Sequence, residues 1–209
     1  SDYLLELTAN YAKRLGDHNL NALVGYSFQR FTSKYLNAGN QGFLTDAFLF
    51  NNLGAGTYEK PWVGSSASKS EMASFFGRVN YTYKDRYSAT VTGRIDGSSK
   101  FGDNNKYAFF PSAGLAWNVS QEDFLKDSNL ISNLKLHTSY GLTGNSEIDP
   151  YKSLGKIKSE TLLLNGTRAP YSYMETMPNP DLKWEKTGQF DVGFNLGLFH
   201  NRLNFDVSY

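Results

Sequence analysis

Alternation of apolar and polar residues, sustained over segments of about ten residues, is the feature that most constrains the fold of this chain. The apolar positions of segment 19–29 are Leu20, Ala22, Val24, Tyr26 and Phe28. Segments 87–96 and 189–198 repeat the same pattern. Because successive side chains of a strand point to opposite faces, these segments predict β-strands with one apolar and one polar face.

Eight strands are predicted in this way, and helical spacing of apolar residues is almost absent. The predicted strands are 3–12, 19–29, 73–84, 87–96, 107–119, 132–142, 189–198 and 202–209. Most of them exceed the roughly 5–6 residues that are usual in soluble proteins. An 11-residue strand is about 36 Å long, and a tilt of about 45° gives it a height of roughly 25 Å, which matches the apolar band of an outer-membrane barrel.

The connections between these strands alternate in length. Short turns are predicted at 14–17, 84–86 and 200–201, and longer polar connections at 32–71, 97–106 and 143–182. In an up-and-down meander every second connection lies on the same rim. The pattern therefore predicts one rim of short turns and one of long loops, as in outer-membrane barrels, where the short turns are periplasmic and the long loops extracellular.

One connection on the short rim, 120–131, is longer than the others. Ser120, followed by Glu122 and Asp123, has the pattern of an N-cap with acidic residues in the first helical turn. We expect a short helix here that serves as a one-turn spacer.

Aromatic residues make up 15% of the chain, and many of them lie towards the ends of the apolar strand faces. They include Tyr3, Tyr11, Tyr26, Phe28, Tyr81, Tyr83, Tyr87, Tyr107, Phe109, Trp117 and Tyr140. Amphipathic rings prefer the interface between membrane and water, which favours a lipid-facing surface. The same rings would also fill the core of a soluble barrel or sandwich, and alternation alone does not distinguish the two.

The opposite face of the strands carries charged residues among Thr, Ser, Asn and Gly. We select Arg78, Arg94, Asp96, Lys135 and Asp191 as a lumen-facing polar wall. A charged side chain that faced mid-bilayer lipid would cost about 2–4 kcal/mol for Arg or Lys, so these residues are expected to point inwards. There they would contact a plug or a substrate, or would form a solvated charge ladder that supports the wall.

Composition excludes several other functions. Lys plus Arg is 21 and Asp plus Glu is 20, so the net charge of +1 gives no support for a nucleic-acid partner. The chain has no cysteine, and its three histidines, His18, His137 and His200, follow no metal-ligand spacing. No nucleophile–base set or paired acids are recognisable. We therefore expect no enzyme activity, no metal site and no cofactor.

Three segments resemble the SusC/RagA family of TonB-dependent outer-membrane transporters of Bacteroidetes. The first begins FGRVNYTYKDRY at 76–87 and continues through RIDGSSKFG at 94–102, FPSAGLAWN at 110–118 and EDFL at 122–125. The second is LKLHTSYGLTGN at 134–145, and the third is NPDLKWE at 179–185, which leads to FDVGF at 190–194. The motifs cover most of 75–209 in the family's order, whereas 1–70 fits by pattern alone.

The resemblance implies that residues 1–209 are one part of a 22-stranded outer-membrane barrel, with the plug and the remaining strands absent. Such transporters import oligosaccharides or peptides with energy delivered by the TonB complex. They usually pair with a SusD-like lipoprotein that closes the outer mouth. The segment at 204–209, which ends in Tyr209, resembles an outer-membrane assembly signal, but in this family that strand normally continues.

If the resemblance holds, the long loops carry recognition. We select Tyr58 and Trp62 on the first long loop, and Tyr171 and Tyr173 on the last, because each pair is closely spaced near Gly or Pro. These rings could stack on a sugar, contact a peptide or pack against a lid subunit. Alternatively, they pack against one another and hold the loops in shape.

The stretch from Asp96 to Asn105 is rich in carboxylate, hydroxyl and amide oxygens, which are the ligands that calcium prefers. It lacks the spacing of a known calcium loop. Asp, Asn, Ser and Gly at these positions are better explained by turn formation.

Two other interpretations remain open from the residues alone. Eight strands can close into a self-contained outer-membrane barrel, which would act as an adhesin or a structural anchor. That barrel would require the first strand to pair with the last. A soluble β-sandwich that binds carbohydrate would instead require the aromatic face to lie in a dry core.

Overall fold

The computed structural model describes residues 2–209, which form ten strands and two short 3-10 helices. The strands are β1 (Asp2–Leu15), β2 (His18–Gly39), β3 (Trp62–Tyr83), β4 (Tyr87–Ser98), β5 (Tyr107–Asn118), β6 (Ile131–Asn145), β7 (Lys156–Leu164), β8 (Thr167–Thr176), β9 (Glu185–Leu198) and β10 (Leu203–Ser208). The 3-10 helices are Leu49–Ala55 and Val119–Gln121. None of the helices within residues 2–209 is long and apolar enough to cross a membrane.

Eight of the strands form one antiparallel sheet, as predicted. Their order is β1-β2-β3-β4-β5-β6-β9-β10, so each neighbour in the chain is also a neighbour in the sheet once the β7–β8 hairpin is set aside. The sheet is open, with β1 and β10 at its two edges. The pairing of β1 with β10 that a self-contained barrel requires is absent from residues 2–209.

The strands β2 and β3 are longer than predicted. Each has 22 residues, and they pair from His18–Tyr83 to Gly39–Trp62 without a register shift. The predicted loop 32–71 is therefore shortened to 40–61, and Trp62 is the first residue of β3. The extension was missed because it contains mostly small and polar residues such as Ser65, Ser66 and Ser68, which give no apolar stripe.

The predicted loop 143–182 contains a hairpin, β7–β8, that we did not predict. Its two-residue turn is Asn165-Gly166, both with positive φ (49° and 77°). This dipeptide between two extended segments is the strongest short-range signal of a hairpin. The signal was therefore present in the sequence.

The short turns on the opposite rim agree with the prediction. Lys84 and Asp85 have φ of 52° and 55°, and the Arg86 N–H donates to the Tyr83 carbonyl at 2.9 Å. The short helix predicted after Ser120 is present only as a hydrogen-bonded turn, in which the N–H groups of Leu125 and Lys126 both donate to the Glu122 carbonyl at 2.9 Å. The 3-10 helix Val119–Gln121 begins before Ser120, and its N-cap Asn118 makes no side-chain capping bond.

The apolar strand face is exposed along most of the sheet. Val79, Val91, Ala113 and Tyr140 occupy one row across β3 to β6, and Phe190 continues that row on β9. The exposed fractions of Val24, Val91 and Leu115 are 60%, 60% and 62%. A soluble sandwich would bury these side chains, so that interpretation is wrong for the described residues.

One connection on the short-turn rim is anchored by Glu122. Its Oε1 accepts hydrogen bonds from the Tyr87 hydroxyl at 2.6 Å and the Trp117 Nε1 at 3.0 Å. Its Oε2 accepts one from Arg86 Nη1 at 2.9 Å. The bonds from Tyr87 and Trp117, followed by the Arg86 charge, lower the pKa of the Glu122 carboxyl. This carboxylate therefore joins the ends of β4 and β5 to the longer connection.

We predict that Glu122→Gln lowers the thermal unfolding temperature of the full-length protein in detergent by a few degrees. The substitution removes a charge that serves three donors, and charge-assisted bonds are about twice as strong as neutral ones. Asp123→Asn is the matched control, because Asp123 contacts Arg86 alone, at 3.1 Å, and its side chain is 85% exposed. Equal unfolding temperatures for the two variants would contradict the anchoring role.

Candidate functional site

The side chains selected from the sequence lie in three regions of the structure: the loop 40–61 with the start of β3, the β7–β8 hairpin, and the polar face of the sheet. The hairpin and loop 40–61 both belong to the long-loop rim. A fourth region, in which two loops bind each other, was not predicted.

Tyr58 and Trp62 are exposed but do not form a pair. Tyr58 lies in loop 40–61, where its backbone N–H donates to the Gln41 carbonyl at 3.2 Å. Trp62 stands opposite Gly39 in the β2–β3 register, and its indole covers that glycine. No ring contact joins Tyr58 to Trp62 in the described part of the chain. The structure therefore offers two separate aromatic side chains on this loop.

Tyr171 and Tyr173, in contrast, form a stacked pair. They are two residues apart on β8, so they share one face of the hairpin, and their ring centroids are 5.8 Å apart with an interplanar angle of 18°. Glu160 of β7 stands opposite Tyr171 and accepts hydrogen bonds from the Tyr171 hydroxyl at 2.8 Å and the Tyr173 hydroxyl at 3.5 Å. We call Tyr171 and Tyr173 the tyrosine pair.

A lysine completes the electrostatics of the tyrosine pair. Lys158 Nζ lies 2.8 Å from Glu160 Oε1, and this bond, followed by that from Tyr171, lowers the pKa of Glu160. The Glu160 carboxylate in turn raises the pKa of Tyr171. Glu160 therefore stays ionised to a lower pH than an isolated glutamate, and it keeps the Tyr171 hydroxyl protonated and directed towards itself. The ring faces are left available for stacking.

All five residues of the predicted polar wall lie on the same face of the sheet. Through the register, Arg78 stands beside Thr92, and that row continues through Ser112 and Gly141 to Gln189 on β9. Arg94 and Asp96 are an even number of residues from Thr92, Lys135 from Gly141 and Asp191 from Gln189, so all four lie on the face of that row. The adjacent row Val79–Val91 belongs to the apolar face, so these five residues lie on the opposite face of the sheet.

Arg94 and Asp96 form a tight pair within this wall. Arg94 Nε lies 2.6 Å from Asp96 Oδ1 and 2.7 Å from Oδ2, and only the second contact has hydrogen-bond geometry. Arg94 Nη2 also donates to the buried Ser74 hydroxyl at 2.9 Å, and the guanidinium lies over the Phe76 ring. This arginine is therefore held rigidly against the sheet.

The other wall residues are more loosely held. Asp191 Oδ1 lies 3.6 Å from His137 Nε2. This contact is an ion pair only if the histidine carries a charge. Lys135 stands between Asn118 and Asn195 in the register. The wall thus contains one fixed ion pair near the long-loop rim and separate polar groups further along the strands.

The region that sequence reasoning missed is a contact between the loop after β4 and the segment before β9. We call it the loop latch and define it as residues 99–106 together with 179–184. The Gly102 N–H donates to the Leu182 carbonyl at 2.9 Å, and the Asn104 side chain donates to Asp181 Oδ1 at 2.9 Å. The Trp184 Nε1 donates to the Lys106 carbonyl at 3.0 Å.

Three aromatic side chains bury the centre of the loop latch. Phe101 is 2% exposed, and its ring lies 4.6 Å from that of Trp184, which also contacts Phe110 edge-on at 5.5 Å. These three residues are the main hydrophobic core of residues 2–209. The latch brings together two of the motifs that carry the family resemblance, and it fixes one stem of the connection that carries the tyrosine pair.

Contacts within the loop latch and the polar wall engage several of the oxygens that suggested calcium. Asp96 pairs with Arg94, Asp103 Oδ1 pairs with the Lys106 ammonium, and Asn104 bonds to Asp181. Within residues 2–209, no group of three or more His, Asp or Glu side chains is arranged to hold a metal ion. Turn formation and loop docking explain this stretch.

We predict that Gly102→Ala releases the loop latch. A Cβ at this position would collide with the backbone carbonyl of Pro180, which has no flexible side chain to yield. Limited trypsin digestion of the full-length protein should then cut faster between Lys152 and Arg168. Gly54→Ala is the matched control, because its nearest atom, Asn52 Oδ1, is 3.9 Å away. Unchanged cleavage in the Gly102 variant would contradict a latch that fixes this loop.

Comparison with known proteins places the architecture in a family. The protein-family model described as "TonB dependent receptor-like, beta-barrel" matches residues 1–209. TonB-dependent receptor P3 of Formosa agariphila is 42% identical over 206 residues, which are 99% of this chain and 20% of the relative. TonB-dependent receptor SusC of Bacteroides thetaiotaomicron is 33% identical, over 92% of this chain and 19% of the relative. The chain thus spans about a fifth of the length of these curated relatives.

Solved structures give the same result. The structure of the RagAB peptide transporter superposes with a TM-score of 0.89 and 31% identity, over 99% of this chain and 23% of that one. Outer-membrane barrels have an outward-facing apolar band, short periplasmic turns and longer extracellular loops, and the apolar face, short turns and long loops of this sheet have the same arrangement. The chain belongs to the TonB-dependent receptor β-barrel family, among its SusC-like and RagA-like members.

Proposed function

We propose that this chain forms part of the barrel wall of a TonB-dependent outer-membrane transporter, of the Bacteroidetes type, that imports oligosaccharides or peptides. The observation that carries the proposal is the superposition on the RagAB peptide transporter along 99% of the chain, with a TM-score of 0.89. The family's proteins lie in the outer membrane, where import needs a barrel of this kind.

The wall formed by these residues would act as a fixed frame. Superposition on the RagAB peptide importer gives a TM-score of 0.89 for its "closed-closed" state and 0.88 for its "open-open" state. Because this segment fits both states almost equally well, we infer that it belongs to a part of the barrel that keeps its shape while other parts move. The 22-residue ladder between β2 and β3 is consistent with that rigidity.

In the proposed transporter, residues 1–209 are one part of a single barrel domain, and the plug and the remaining strands lie outside this chain. The polar wall of Arg78, Arg94, Asp96, Lys135 and Asp191 would face the lumen and the plug. Energy from the TonB complex would act through the plug. The fixed Arg94–Asp96 pair offers a charged surface there, whereas the groups near Lys135 and Asp191 remain adaptable.

The partner at the outer mouth would be a SusD-like lipoprotein. The name RagAB and the match to SusC support such a partner. We propose that the tyrosine pair, with Tyr58 and Trp62, contacts the substrate or this lid. Support comes from geometry: the stacked rings are exposed, the Glu160–Lys158 pair holds their hydroxyls aside, and the hairpin rises from the long-loop rim.

No catalytic step and no nucleic-acid partner belong to this proposal, because the relatives are named as receptors and the net charge is +1. The adhesin or anchor alternative is not retained. It rests on a closed eight-stranded barrel, and no observation favours it.

The test is uptake by the organism that carries the gene. Deletion should abolish growth on at least one oligosaccharide or peptide as the sole source of carbon or nitrogen. Replacement of the tyrosine pair by alanine, Tyr171→Ala with Tyr173→Ala, should then reduce uptake of that substrate several-fold, because aromatic platforms bind through ring area.

The matched control is the pair of phenylalanine substitutions at the same positions, which keep the rings and remove the hydroxyls. We expect these variants to retain most of the uptake, with surface levels equal to wild type. Unchanged growth of the deletion strain on all substrates would contradict import. Equal uptake by the alanine and wild-type proteins would contradict the role of the tyrosine pair alone.

A further inference from the structure

A group of charged residues lies on the lipid-facing side of the barrel, at the extracellular edge of the aromatic band. Arg30 follows Phe28 at the next position of the same parity on β2, so it shares the outer face with Tyr26 and Phe28. In the register it stands between Tyr3 of β1 and Glu71 of β3. Arg30 is therefore level with the outermost aromatic residue of this face, Tyr3, where the lipid headgroups begin.

Two cations converge on a single carboxylate oxygen in this group. Arg30 Nε and Lys69 Nζ each lie 2.8 Å from Glu71 Oε1. The Arg30 guanidinium also lies over the Phe28 ring, 5.7 Å from its centroid, which orients it along the outer wall. The side chains of Arg30 and Lys69 are 47% and 50% exposed, so both cations remain accessible from the outside.

The group carries an excess of positive charge. Lys34 stands opposite Ala67 in the same uninterrupted ladder and has the same parity as Arg30, so it adds a third cation on this face. Arg30 and Lys69 share one carboxylate, Glu71, and Lys34 lies further along the same face. The four residues together therefore carry an excess of two positive charges on the outer face of the strands.

We propose that Arg30, Lys34 and Lys69 bind the phosphate group of a phosphorylated lipid in the outer leaflet of the outer membrane. This proposal rests on the proposed function, since it requires the strands to cross that membrane. The guanidinium fork of arginine matches phosphate oxygens in a bidentate geometry, and lysine supplies point charges beside it. The acyl chains would lie along the apolar surface formed by Val24, Tyr26 and Phe75.

Position on the barrel explains why the ligand is a lipid and not a free anion. The outer face at this level is adjacent to acyl chains below and to headgroups beside it, and Arg or Lys near the interface costs far less than at the bilayer midplane. Cations there attract anionic headgroups of the same leaflet. The Phe28 ring beneath Arg30 provides the apolar contact that a lipid would make and a free phosphate would not.

The test uses the full-length transporter in a mild detergent. Binding is measured by native mass spectrometry with three additions: diphosphorylated lipid A, the same lipid after removal of its phosphates, and inorganic phosphate. The variant combines Arg30→Gln, Lys34→Gln and Lys69→Gln. The control combines Lys13→Gln, Lys84→Gln and Lys126→Gln, which removes the same charge near the periplasmic turns.

We expect the variant to bind diphosphorylated lipid A at least about ten-fold more weakly than wild type, and the control to bind as wild type does. Dephosphorylated lipid should bind weakly to all three proteins. Equal binding of diphosphorylated lipid A to variant and control, or saturation of the site by inorganic phosphate alone, would overturn the proposal. Substrate uptake is measured in parallel, so a failure here with intact uptake leaves the proposed transporter function standing.

Discussion

Every part of this structure depends on one requirement: a backbone that crosses a bilayer must satisfy its N–H and C=O groups within the protein. The antiparallel ladder meets it, with uninterrupted pairing from Gly39–Trp62 to His18–Tyr83 between β2 and β3. Because the ladder fixes every side chain to one of two faces, the sequence must alternate. The apolar face, the polar wall and the outward cations then follow from parity alone.

The same ladder also separates rigid from adaptable parts. Arg94 is held by Asp96 and Ser74 on the wall, and the loop latch holds one end of the connection that carries the tyrosine pair. The hairpin beyond it makes few contacts with the sheet but is ordered internally by Glu160. In the proposed transporter, a rigid wall would thus carry a hairpin that is held at one stem and ordered internally.

The order of the eight-stranded sheet could be predicted because alternation is local, and so could the shared face of Arg94, Asp96 and Asp191. The β7–β8 turn could have been predicted from Asn165-Gly166, but was not. The extension of β2 and β3 could not have been predicted, because residues 65–68 show no alternation of apolar and polar side chains. The docking of Trp184 onto Phe101 and Lys106 joins residues about eighty positions apart, and no local pattern specifies such a contact.

The central claim is that one face of these strands meets lipid and the other does not. The chain has no cysteine, so single cysteines can be placed at 89, 90, 91 and 92 of β4 in an otherwise cysteine-free full-length protein and spin-labelled. In lipid vesicles, labels at 89 and 91 should be accessible to oxygen, which partitions into lipid, and shielded from a water-soluble nickel chelate. Labels at 90 and 92 should show lower oxygen accessibility. Equal accessibility at all four positions, or the reverse alternation, would contradict the account.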